Sequence, residues 1–241
     1  METPGPPGYR ERPSAVVDGA VVWSRTIPDG AVAPVLPDGC MDVLWTGERL
    51  LVAGPDTRGY VPAAAAGSRV SGIRFFPGTA PALLGVPAHE LLDSRPALAD
   101  LWSAARVRVL AAAVAAAPDP MTGLDELARR IAVDNDTADP LLRRLVGRLD
   151  GGASVAATAD EFGIGARRLH RMSLSAFGYG PKMLARVLRM QRALALARGG
   201  IPFADTAFRA GYADQAHLAR DIRELAGRPL GQLVADQSSG A

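Results

Sequence analysis

The chain has 241 residues, 48% hydrophobic and 22% charged, the balance of a folded protein with its own core rather than of a disordered segment. It has no run of about 18 apolar residues, no apolar leader in METPGPPGYRERPS, and one cysteine, which excludes internal disulfides and multi-cysteine zinc sites; the expected setting is the cytoplasm, with no membrane span. The net charge of +2 is unevenly divided, −5 over residues 1–140 and +7 over residues 141–241, which points to a polyanion, nucleic acid first, as partner of the second half.

After a Pro/Gly-rich leader, short apolar runs alternate with turn formers. Segments 20–27 (AVVWSRTI), 41–46 (MDVLWT), 50–53 (LLVA) and 69–76 (RVSGIRFF) lie between PDG, PDGC, TGE, GPDTRG and FPG, and are predicted strands of a small sandwich or barrel. From Ala80 the period shifts towards helix, with short helices predicted near 80–84 and 88–93. A longer helix is predicted over 98–116, with Leu98, Leu101, Trp102, Ala105, Val109, Ala112 and Ala116 marking its apolar face. That stripe suits packing on its own domain or self-association. PDPMTG interrupts it, Leu124, Leu127, Ala128 and Ile131 mark another helix, and AVDNDTADP breaks the chain again.

In LPDGCMDVLW, strand alternation places Cys40, Asp42 and Leu44 on one face and Met41, Val43 and Trp45 on the other. Cys40 reads first as a small buried hydrophobe, with a sensing thiol as the alternative. Trp23, Trp45, Phe75 and Phe76 fall on predicted strands, as core or as cavity lining. Cys40, Asp42, Trp45 and Phe75 are therefore the candidates to line a pocket for a small organic effector. One cysteine and His89 cannot fill a tetrahedral metal site without carboxylates, so no metal and no cofactor is expected. Catalysis is not expected either. Asp38, Asp42, His89 and Glu90 offer acid–base groups without a nucleophile–base spacing, and neither GxxxxGK[ST] nor a strand–GxGxxG–helix is present.

The last hundred residues hold one device twice. Leu141, Leu142, Leu145, Val146 and Leu149 form a helical stripe that Gly151 and Gly152 stop. Ser154 can cap a short helix with Val155, Ala159 and Phe162 inward, and Gly163-Ile164-Gly165 makes a turn. The next helix points Leu169, Met172, Ala176 and Phe177 inward, leaves Arg167, Arg168, His170 and Arg171 outside, and ends at Gly178-Tyr179-Gly180-Pro181. Downstream, 202–210 is a short helix, Gly211-Tyr212 the turn, and Asp214 the cap of a helix with Leu218, Ile222, Leu225 and Ala226 inward. Gln215, Ala216, His217, Arg220 and Arg223 stay outside. Leu169, Arg171 and Gly178 recur as Leu218, Arg220 and Gly227, and 182–198 is one continuous helix between the copies, with Leu184, Val187, Leu188, Gln191, Leu194 and Ala195 along one side.

Two helix-turn-helix patterns joined by one helix are far more specific than one. On SVAATADEFGIGARRLHRM, GYGPKMLARVLRMQRAL and IPFADTAFRAGYADQAHLARDIRELAG, residues 152–234 resemble the DNA-binding domain of AraC/XylS-type transcriptional regulators. On LPDGCMDVLW, GPDTRG and GIRFFPGTAPALLGVPAHELLD, residues 20–105 resemble the β-rich, cupin-like sensor domains found ahead of such modules, without the HxH pair of a metal-binding cupin. The resemblance implies an α+β chain: a β-rich sensor or dimerisation domain with trailing helices (9–118), a helical connector (119–151), an all-α double helix-turn-helix domain (152–234) and a disordered tail (235–241). It implies a sequence-specific regulator whose partners are operator DNA, a small-molecule effector, RNA polymerase and a second copy of the chain. The alternatives are an architectural DNA binder whose first domain only dimerises and, third, an enzyme with a basic helical appendage. Two departures stand out: Ser173 replaces a bulky apolar residue, so a looser first unit is expected, and the terminal Gly-x-x-Pro is shortened to Gly227-Arg228-Pro229, which blurs the last helix boundary.

Arginine pairs two donors with guanine, which makes Arg167, Arg171 and Arg220 base-reading candidates, with Arg168 on a base or a phosphate. Gln215 suits adenine, His170 and His217 can donate to a base edge, and Ala216 shares their face. On the joining helix, Lys182, Arg186 and Arg189 are candidates for phosphate contact or for salt bridges. That helix is expected to hold both reading helices on one DNA face.

Overall fold

A computed structural model describes residues 8–30, 32–134 and 139–238. The leader 1–7, the centre of AVDNDTADP and residues 239–241 lie outside them. Alternation builds the first domain: β2 (Val21–Thr26), β3 (Met41–Trp45), β4 (Leu50–Ala53) and β5 (Arg69–Phe75) each bury every second side chain. With β1 (Tyr9–Pro13) they form one antiparallel sheet in the order β1-β2-β5-β3-β4.

The buried face carries Val22, Met41, Val43, Trp45, Leu50, Val52, Ile73 and Phe75. Its second layer is helical rather than a second sheet or a closed barrel. It comprises α1 (Thr79–Leu84), a 3-10 turn (Ala88–Leu91), α2 (Leu98–Leu101), α3 (Ala104–Ala116) and α4 (Pro120–Asp134). α4 lies on β2 and β5 through Leu124, Leu127, Ala128 and Ile131, and α3 packs behind it. β1 was not anticipated, because YRERP is charged and shows no apolar alternation. It is an edge strand, where charge is tolerated, tied to α4 by Arg12 and Ser14, each 2.6 Å from Asp125.

The helix expected over 98–116 is broken at Trp102 and Ser103, where Ser103 Oγ accepts from Arg106 N and caps α3. The buried stripe of α3 is Val107, Leu110 and Val114, whereas Val109 is 63% exposed and Ala105, Ala112 and Ala116 also face outward. Two apolar stripes compete on this helix, and the one with larger side chains buries more area.

The second domain is α5 (Pro140–Asp150), α6 (Val155–Glu161), α7 (Ala166–Phe177), α8 (Pro181–Arg198), α9 (Phe203–Ala210), α10 (Gln215–Ala226) and α11 (Leu230–Ser238). Ser154 caps α6 and Asp214 caps α10, accepting from Ala157 N at 3.1 Å and His217 N at 2.6 Å. α7 and α10 end alike on left-handed glycines, Gly178 (φ 83°) and Gly227 (φ 70°). There are two cores, and α8 serves both: Leu184, Val187 and Leu188 pack with α5–α7, while Met190, Ala193 and Leu194 pack with α9–α11.

Ser173 does not loosen the first unit. It is fully buried, and its Oγ donates to the carbonyl of Tyr179 at 2.7 Å, closing the α7–α8 turn. Residues 235–238, expected as disordered tail, form the end of α11, which buried Leu230 and Leu233 dock on the second core.

Candidate nucleic-acid interface

The spacing that buries Leu169 and Leu218 turns the intervening positions outward. Arg167, Arg168 and Arg171 on α7 and Gln215, Ala216 and Arg220 on α10 are exposed. Arg171 and Arg220 occupy equivalent places in the two units and make no hydrogen bond or ion pair to a described residue. The two histidines differ. His170 is exposed but lies on the backbone of Gly180, where a Cβ would sit 2.9 Å from its Cε1. His217 is half-buried, edge-on to Tyr212 at 5.1 Å, with Nδ1 accepting from Ala213 N at 3.4 Å.

Two of the three cations proposed on α8 are engaged internally. Asp221, 5% exposed on the inner side of α10, receives Arg186 Nε in a short ion pair, Arg189 Nη2 at 3.4 Å and the Tyr212 hydroxyl at 3.0 Å. Arg186 also meets Glu224 at 2.5 Å, and the Arg189 guanidinium lies 4.4 Å over the Tyr212 ring. Burial, reinforced by the Asp221 carboxylate, pushes the Tyr212 phenol well up, so it stays a donor. This network fixes α10 on α8. Sequence reasoning missed Asp221 and Tyr212; the available signal was an acid flanked by Leu218, Ile222 and Leu225 on an apolar face. Lys182 is exposed and without a partner among the described residues.

In the first domain the four effector-pocket candidates fall on opposite sides of the sheet. Trp45 and Phe75 are in the core between sheet and helices. Asp42 lies on the other face with Cys40 just before it. There Trp23 Nε1 donates to Asp42 Oδ2 at 2.8 Å, and Arg74 Nε lies 3.5 Å from Asp42 and 3.4 Å from Asp38. The Trp23 indole lies flat across Gly72, where a Cβ would be 2.6 Å from its ring, and stacks on Tyr9. Burial, then the Asp38 carboxylate, pushes the Cys40 thiol well above its usual range, which leaves little reactive thiolate at neutral pH.

Burial, only partly offset by Arg74, pushes the Asp42 carboxyl up to about 6. The folded state therefore binds more protons than the unfolded one between about pH 4 and about 6, and stability declines as pH rises through that window. Asp42→Asn is expected to abolish this decline in thermal unfolding. A decline of unchanged size in the variant would contradict the assignment.

The same face borders the second domain. The carbonyl of Pro37 accepts from Gln191 Nε2 at 2.5 Å, and Gly39 packs on Leu184, so the loop before β3 touches α8. Gly59 N donates to the carbonyl of Leu225 at 2.7 Å, joining the β4–β5 connection to the end of α10. At the end of α7, a Cβ on Gly178 would lie 2.5 Å from Pro55 Cγ, a close approach that, with its left-handed φ, requires glycine. Among the described residues no helix is long and apolar enough to cross a membrane, and no group of three His, Cys, Asp or Glu side chains could hold a metal.

Residues 158–235 match the family model of a helix-turn-helix domain, and residues 16–96 match a domain of unknown function, DUF6597. Among solved structures, a probable AraC family transcriptional regulator from Rhodopseudomonas palustris CGA009 aligns at 20% identity over 41% of this chain and 98% of its own, with a TM-score of 0.36. Apo ToxT from Vibrio cholerae strain SCE256 aligns at 10% identity over 98% of this chain and 100% of its own, with a TM-score of 0.50, a likeness of fold. Nothing among curated proteins matches the chain.

Proposed function

We propose that this chain, an AraC-type helix-turn-helix domain behind a sheet-bearing domain, is a DNA-binding transcription regulator that reads an operator with α7 and α10. The observation that carries the reading is duplication: α7 and α10 end alike on left-handed glycines, are fixed to the two halves of α8, and present Arg171 and Arg220, without partners among the described residues, at equivalent positions. Arg167 and Gln215 join them as base readers, and Arg168 and Lys182 contact phosphates. The chain acts by binding, not by catalysis, and the compartment this implies is the cytoplasm.

The first domain, in this reading, modulates that binding. A small organic effector seated by Trp23, Asp42 and Arg74 would act through the loops that touch α8 and α10, provided it binds one domain arrangement better than the other. RNA polymerase and a second copy of the chain complete the partners.

The test is a titration of the full chain with duplex DNA across ionic strength. Neutralising several phosphates gives a log K that falls by about 0.9 per phosphate for each tenfold rise in salt. A folded chain that binds no duplex, or binds without salt dependence, overturns the reading.

A further inference from the structure

We propose that a cleft on the flank of α8, between the two helix-turn-helix units, seats one backbone phosphodiester of the bound duplex, held by Arg192 and Lys182. The proposal rests on the DNA-binding reading and adds a site to it. The cleft has a volume of about 310 Å³, bordered by Gly152 where the first unit begins and by Ala210 and Gly211 at the turn of the second. Lys182, Arg186, Arg189 and Arg192 line it along one side of α8, and no acidic side chain is among its lining residues.

Arg186 and Arg189 are engaged with Asp221. Lys182 and Arg192 have no carboxylate partner among the described residues. Arg192 spans the cleft. Its Nη2 donates to the carbonyl of Ala210 at 3.4 Å, and its Nη1 lies beside Gly152, 3.8 Å from where a Cβ there would sit, so one guanidinium is bonded to the second unit and close to the first. The Nε of Arg192, like that of Arg189, is buried with no hydrogen-bond partner. A cationic cleft with unpaired buried N–H groups is completed by an oxyanion, and the one oxyanion a duplex brings between successive grooves is its backbone phosphate. Seated there, the phosphate ties the two units together across the connector.

The experiment replaces phosphates one at a time by methylphosphonate in a duplex selected by the full chain. One position between the two contacted grooves is expected to weaken the native chain roughly tenfold and to lower its salt slope by about 0.9. The same replacement should leave Arg192→Gln unchanged, because that pairing is already lost. Lys182 is the chain's single lysine, so its acetylation also reports the site: the duplex is expected to block it. If the chain binds duplex with steep salt dependence but no phosphate distinguishes it from Arg192→Gln, the seat is refuted and the DNA-binding reading stands. If it binds no duplex, the reading itself fails. Should Arg192→Gln not fold, the same scan on Lys182→Gln, an exposed position, decides.

Discussion

Asp221→Ala is expected to remove about 3 kcal/mol of stability and most of the affinity for DNA. The carboxylate is buried and answers two arginines and a phenol at once. Deleting it leaves Arg186 and Arg189 side by side without their shared counter-charge, and breaking such a pair costs more than the pair contributes. Arg186 is 27% exposed and keeps Glu224, which places the cost at the lower end of the range for buried pairs. The damage falls on the α8–α10 junction, so the second reading helix loses its fixed angle even where the domain stays folded. Tyr212→Phe removes one hydrogen bond only and should cost about 1 kcal/mol. Denaturant unfolding and duplex binding of both variants check this. Equal costs for the two would show that the arginines do not depend on Asp221.

Arg171→Ala and Arg220→Ala are each expected to weaken binding to a selected site by about 1–3 kcal/mol and to relax preference at one base pair. Both side chains are exposed and have no partner among the described residues, so stability should change by less than about 0.5 kcal/mol. They sit in separate units with no shared partner, and the double variant should show roughly the sum of the two losses. If affinity instead falls equally for every sequence, the arginines contact phosphates and base reading lies elsewhere on α7 and α10.

The second domain was legible because its punctuation is local. Ser154, Asp214, Gly178 and Gly227 act within one helix turn of themselves, and the recurrence of Leu169, Arg171 and Gly178 is visible without any tertiary knowledge. What escaped depends on partners distant in sequence. β1 exists because β2 and Asp125 receive it. The face of α3 is chosen by α4, and periodicity alone marked the wrong stripe. Ser173 replaces the packing of an apolar residue by a bond to a backbone carbonyl six residues on, which no apolar pattern records. Arg186 and Arg189 suited phosphate contact or salt bridging alike until Asp221, more than thirty residues away, decided for salt bridging. Arg192 drew no notice in the sequence because its setting is made by two glycine-bearing turns from different units.

The central claim, that one rigid connector presents two equivalent reading helices to one duplex, is tested most directly by selecting bound sequences from a random-sequence duplex pool with the full chain. The account predicts two enriched blocks whose centres lie about one helical turn, roughly 10–10.5 base pairs, apart at a fixed spacing. A single block, two blocks at variable spacing, or no enrichment would contradict it.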